Sequence, residues 1–215
     1  MARPGDVLMN RRARVGARAL TTLILPILLV TAGCSSTFRE HTDTAPKESL
    51  AMAPTESNTM KDAFETLLKR PNLTEVEADY QSMFRTIRER LTAEVGVGSW
   101  VPGREPASGT FCAGSISNLE GAGQRLYSAG TSPGNLPDAR WDRAVTIVTE
   151  VAGQHGFGAP QVIVNGPGDH EVEFHDTYQG WLLFGTGANT ILTGGTGCHL
   201  TEEAHQRGTY LPPRY

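Results

Sequence analysis

An apolar run of fifteen residues, Ala19 to Gly33 (ALTTLILPILLVTAG), ends directly on Cys34, and the rest of the chain has to be read from that junction. A membrane-spanning helix needs about 20 such residues, and Pro26 interrupts this run. Arg3, Arg11, Arg12, Arg14 and Arg18 precede it with only Asp6 opposing them, and the small residues Ala32 and Gly33 close it. This is the layout of a secretory signal peptide over residues 1–33, with a cationic start, an apolar middle and a narrow cleavage site. Val30-Thr31-Ala32-Gly33-Cys34 reads as a lipobox. In that pattern the Cys34 thiol takes a diacylglyceryl group, the chain is cut before it, and the new amine receives an acyl chain such as palmitate. Thr31 departs from the pattern, in which Leu is usual. At about 0.8 kcal/mol per buried methylene, two or three acyl chains hold a domain at a membrane without a spanning helix. The residues after Arg11-Arg12 match a twin-arginine signal poorly, so general secretion is expected, and Met9 is an alternative start to Met1.

Charge excludes one class of function. The chain has 19 basic and 23 acidic side chains. Without its first 18 residues it keeps 14 basic against 22 acidic ones. A nucleic-acid partner calls for a basic stripe, and this body is acidic. Of the three cysteines the lipobox takes one, leaving Cys112 and Cys198, which an oxidising envelope favours as a disulfide. Closing a loop of about 87 residues stabilises a domain by roughly 4–5 kcal/mol in the chain-entropy model.

Lipidated Cys34 opens a Ser/Thr/Pro-rich stretch to residue 57 with little to bury. It is expected to be a flexible tether with a reach of about 25 Å, and its composition suits O-glycosylation. A globular domain over 58–206 and a loose tail over 207–215 follow. Asn58 to Arg70 reads as a helix ended by Pro71. Thr74 and Glu77 suggest a capping box for a longer helix, in which Val76, Tyr80, Met83, Ile87, Leu91 and Val95 recur every three or four residues up to Gly96. Gly98 to Val101 and Gly109 to Ala113 read as a first hairpin carrying Trp100 and Cys112, and Gln124 to Ala129 as a third strand. Asp138 is expected to cap a second helix with the stripe Trp141, Val145, Val148, Val151. Strands Gln161–Val164, His170–Thr177 and Trp181–Thr193 finish the domain, the last with a turn near Ala188-Asn189. The pattern predicts an α+β fold: one antiparallel sheet of about five or six strands with two main helices on one face.

These residues resemble the LppA-type lipoproteins of mycobacteria and related actinobacteria. The resemblance runs from the helix at Glu75–Leu91 to His199. It rests on Trp100, Cys112, the helix Trp141–Phe157, Tyr178-Gln179-Gly180-Trp181-Leu182-Leu183-Phe184, and Gly197-Cys198-His199-Leu200. It implies a compact exported domain with one disulfide, lipid-anchored at the cell envelope, in a family without an assigned activity. It supplies no catalytic residues.

Three motifs invite a chemical reading. Gly130-Thr131-Ser132-Pro133-Gly134 matches the nucleophile-elbow string G-x-S-x-G. Pro133, however, stands where a backbone N–H must serve the oxyanion, so the string reads as a turn. Gly185 to Gly197 is glycine-rich but lacks the Gly-Lys-Ser/Thr ending of a phosphate loop, and is expected to form turns and bulges. Asp169 to Asp176 packs four carboxylates and two imidazoles into eight residues. On a strand Asp169, Glu171, Glu173 and His175 share one face at about 6.8 Å spacing, too far apart to close on one metal ion unaided. Glu171, Glu173 and His175 are therefore a candidate interaction surface for a basic partner. His199 and His205 are expected at the surface, and Trp100, Trp141 and Trp181 in the core. No catalytic residue, metal or cofactor is expected. The expectation is a non-enzymatic binding module facing an envelope protein or lipid, with a carrier of an apolar molecule, or a hydrolase or metal-dependent enzyme, as alternatives.

Overall fold

In the computed structural model, residues 54–101, 103 and 108–212 are described. The signal peptide, Cys34 and the stretch up to residue 53 lie outside them. Helix α1 spans Pro54–Leu67, starting four residues before the expected Asn58. Helix α2, Leu73–Val95, follows the predicted stripe and buries Leu73, Val76, Tyr80, Met83, Phe84, Ile87, Leu91 and Val95. Its capping box is Asn72 with Glu75, two residues ahead of the expected Thr74 and Glu77. The Asn72 side chain accepts from the Glu75 N–H at 3.0 Å, and Glu75 accepts from the Asn72 N–H at 2.9 Å. Starting there buries Leu73 and frees Glu77 to pair with Arg125 at 3.3 Å.

Strand β1 is Ser108–Thr110 and β2 is Ala122–Pro133. The expected first hairpin does not form. Val101 bridges Thr131, whereas Ser108–Thr110 pairs with Gln124–Leu126. Both segments therefore lie along β2, whose 12 residues are long enough to pair with each in turn. Helix α3, Asp138–Gln154, follows. Asp138 is its first residue and not its cap; its carboxylate turns outward to accept from the Gly168 N–H at 2.9 Å. Strands β3 (Gln161–Gly166), β4 (Asp169–His175), β5 (Trp181–Thr186) and β6 (Asn189–Gly195) form an antiparallel meander. Strand β7 is His199–Leu200, and helix α4 is Glu202–Arg207.

The sheet order is β1-β2-β6-β5-β4-β3, with β7 also on β2. Helices α2 and α3 pack on one face, so the predicted α+β class holds. There Tyr127, Leu192, Leu182, Phe184, Val172 and Phe174 meet the stripes of both helices. Trp141 stacks on Phe184, centroid to centroid 5.1 Å with the planes 7° apart. A smaller core lies to one side, built from Met60, Phe64, Leu67, Leu119, Leu200 and Ala204. It accounts for two departures from expectation. The tail expected from residue 207 packs at its start: Thr201 caps α4 by accepting from the Ala204 N–H, and just past that helix Tyr210 reaches Phe64, ring centroids 6.2 Å apart. His199 is fully buried and not at the surface, because β7 carries it beneath the turn between α1 and α2. The glycine-rich stretch is mostly strand, with its turn confined to residues 187–188. Cys112 and Cys198 are disulfide-bonded, with Cα atoms 5.5 Å apart. Among the described residues no helix is long and apolar enough to cross a membrane.

Candidate functional site: the open face of the sheet

Strand β4 alternates as its sequence predicts: His170, Val172 and Phe174 point inward, while Glu171, Glu173 and His175 share the face away from α2 and α3. Directly opposed residues of an antiparallel pair point the same way, so the pairing defines the rest of that face. Glu173 faces Leu183, His175 faces Trp181, Trp181 faces Gly195, and Gly195 faces Leu126. Ile191 lies opposite Gly185, and Val164 opposite Glu171. The result is a partly exposed apolar surface of Leu126, Trp181, Leu183, Ile191 and Val164 beside the carboxylates of Glu171 and Glu173. A side chain at Gly195 would meet Trp181 Nε1 at 2.7 Å and Leu126 Cδ2 at 3.0 Å. The missing Cβ is what lets the indole lie across the strand.

Sequence reasoning found the acidic side of this face and missed its apolar side. Trp181, Leu183 and Ile191 alternate with the buried Leu182, Phe184 and Leu192. When both phases are apolar, alternation cannot say which one is covered. Of the three tryptophans only Trp141 is buried; Trp100 and Trp181 are partly exposed. His175 Nε2 lies 3.7 Å from Glu173 Oε1. Among the described residues no three His, Cys, Asp or Glu side chains are placed to hold a metal ion.

The remaining polar clusters are committed to structure. Ser132 of the G-x-S-x-G string is buried within β2 opposite Thr190, so no elbow presents it. His170 is stacked on Trp141 at 5.0 Å, its Nδ1 2.9 Å from Asn165 Oδ1 and its Nε2 3.2 Å from Asp138 Oδ1. The Gly168 N–H and His170 together hold the Asp138 carboxyl below the usual range. Two open grooves flank α2. One of about 410 Å³ is lined by Glu94, Arg140 and Arg143, and one of about 440 Å³ by Arg85, Arg88, Thr92 and Trp100. Their cations are largely engaged: Arg140 donates to the Val95 carbonyl at 2.9 Å, Arg143 pairs with Glu94, and Arg88 donates to the Ala129 carbonyl.

The two sequence motifs Tyr178-Gln179-Gly180-Trp181 and Gly197-Cys198-His199-Leu200 form one packed unit next to the disulfide. Asp176 Oδ1 accepts from the N–H groups of Tyr178 and Gly180 at 2.8 and 2.7 Å, and its Oδ2 accepts from the Tyr80 hydroxyl at 2.8 Å. Burial and that carboxylate push the Tyr80 hydroxyl far up from its ordinary value. A Cβ at Gly197 would run into the Tyr178 carbonyl. Gly197→Ala should therefore cost about 1–3 kcal/mol through a forced backbone shift, a fall of about 3–10 °C in melting temperature. An unchanged thermal melt would refute this close approach.

Within the same unit Arg70 stacks over the Tyr178 ring at 5.2 Å and donates to the Cys198 carbonyl at 3.1 Å. His199 Nδ1 lies 2.9 Å from the Pro71 carbonyl, so it carries the proton. Its Nε2 is buried with no partner. Burial lowers the His199 pKa, partly offset by the Pro71 carbonyl and reinforced by Arg70. In the unfolded chain His199 takes up a proton near pH 6.5, while the folded form resists until lower pH. Stability that is present above about pH 6.5 is therefore lost as pH falls toward the folded value. Melting curves from pH 7.5 to 5.5 should show this slope, and His199→Asn, which keeps a donor toward Pro71, should flatten it.

Fold and surface together define an α+β domain with one open sheet face, locked by a single disulfide. Within that class the chain belongs to the LppA family, described as "Lipoprotein confined to pathogenic Mycobacterium", whose sequence profile matches residues 50–202. The fold is similar to that of the lipoprotein LppA from Mycobacterium tuberculosis. That likeness has a TM-score of 0.60 and 15% identity, and covers 74% of this chain and 96% of that one. A DUF4853 family protein from Actinomyces odontolyticus ATCC 17982 is more distant, with a TM-score of 0.45 at 15% identity over 68% of this chain and 79% of that one. No curated protein matches significantly.

Proposed function

We propose that this chain is an exported lipoprotein, held by acyl chains on Cys34 at the outer face of the cytoplasmic membrane, whose domain is a non-enzymatic binding module. In this reading residues 1–33 are the signal peptide and 34–57 the lipidated tether. The observation that carries it is the open face, where Leu126 is exposed and Trp181, Leu183 and Ile191 are partly exposed beside Glu171 and Glu173. A contiguous apolar surface rimmed by charge is the usual mark of a protein partner's site. The carboxylates and His175 favour a partner with basic groups at its rim. The carrier reading asks for an enclosed apolar cavity, and the grooves beside α2 are open and edged by charged side chains.

Two measurements test the two halves of the proposal. Mass analysis of the mature amino-terminal peptide should find acyl groups on Cys34, and an unmodified Cys34 in native membranes would overturn the anchor. A photo-cross-linking residue at Leu183 of the full lipoprotein should yield a discrete adduct in its own membranes, lost in Trp181→Ala/Glu171→Lys. The same probe at Thr146, on the exposed side of α3, is the control. Equal labelling from both positions would overturn the assignment of the face.

A further inference from the structure

Strand β3 ends the sheet at the side opposite β1, and its first five residues, Gln161 to Asn165, are all exposed. The reason lies in the layer above. Val162 pairs with Val172, which is 2% exposed under the helices, yet Val162 itself is 67% exposed. The helix layer stops at β4, and the sheet continues one strand beyond it. Ile163 is 50% and Val164 36% exposed, so β-branched side chains are bare on both faces. Among the described residues the outer edge of β3 pairs with no strand.

We propose that β3 is a self-association edge, pairing antiparallel with β3 of a second copy about a two-fold axis so that two sheets become one. A two-fold axis brings each residue near its own counterpart, so a suitable edge must not repel itself. Gln161–Gly166 carries no charge. The acidic side chains beside it, Asp169, Glu171 and Glu173, sit on β4. From β4 to its mate across the seam is three strand spacings, about 14 Å, beyond the screening length of about 8 Å at physiological salt. Edges are commonly blocked by a charged side chain, an internal proline or a covering helix, and β3 has none of these among the described residues. It does carry a bulge between Val162 and Val164, which limits regular pairing to a few residues and makes the association weak and reversible. This inference needs only the outer edge of β3 and shares Val164 alone with the open face, so what binds that face does not decide it.

The test uses the full mature lipoprotein in detergent, with micelles in excess over protein. Analytical ultracentrifugation should show a monomer–dimer equilibrium below about 0.5 mM. Ile163→Lys should weaken it at least about tenfold with an unchanged melting temperature, since the residue already faces solvent. Hydrogen exchange should show β3 amides gaining protection as concentration rises. A monomer throughout that range would overturn the proposal. So would a dimer that Ile163→Lys leaves intact, or one that forms without change in β3 exchange.

Discussion

Replacing Cys112 and Cys198 together with serine should lower the melting temperature by about 10–15 °C. The bond spans 86 positions of sequence, and removing a constraint on a loop of that length relieves the unfolded chain of about 4–5 kcal/mol. For a domain of this size each kcal/mol moves the transition by about 2–4 °C. Position adds to length. Cys112 follows β1 at the edge of the sheet, and Cys198 precedes β7 in the small core, so the bond ties the main sheet to the layer formed by α1 and α4. A reductant added to the wild type should reproduce most of the shift. A melting temperature the same in both forms would show that the bond contributes nothing to stability.

Trp141→Ala should cost about 3–5 kcal/mol, the range for emptying a large aromatic site in a core. That is at least about a fifth of the stability of a typical domain. Trp141 is the point at which α3 docks on the sheet: one ring stacks on Phe184 of β5 and on His170 of β4. Trp141→Phe keeps part of the stack and should lose roughly half as much. Denaturant unfolding with an unchanged m-value measures the difference. A loss below about 1 kcal/mol for Trp141→Ala would mean that α3 is held elsewhere.

Much of the main core was legible in the sequence because α2 and β4 each have one apolar phase and one polar phase. Tyr80, Ile87 and Leu91, and separately Val172 and Phe174, announce their buried sides. Cys112 and Cys198 could be paired once the lipobox had claimed Cys34. Less legible were the features set by pairing between distant segments. Nothing local in Gly98–Val101 or Gly109–Ala113 says that both will lie along β2. Asn72 and Thr74 each precede a glutamate by three residues, and only the burial of Leu73 places the cap at Asn72. His199 looked like a surface residue because its burial is imposed by a two-residue strand. The open face was half visible through Glu171, Glu173 and His175, while Trp181 and Leu183 were hidden in a run where every position is apolar or small.

The small core joins the two ends of the described chain: α1 supplies Met60, Phe64 and Leu67, while Leu200 and Ala204 come from β7 and α4. Arg70 donates to the carbonyl of Cys198, 128 positions away, and His205 reaches the carbonyl of Arg70, 135 away. A polypeptide that emerges amino-terminus first can therefore cover α1 only in part, with Leu119, until β7 and α4 have followed. During that interval α1 is an amphipathic segment with an incomplete berth. Removing the chain from Thr201 onward should leave the sheet, Leu119 and Leu200 in place but strip Ala204 and Tyr210 from the cover of α1, loosening its docking.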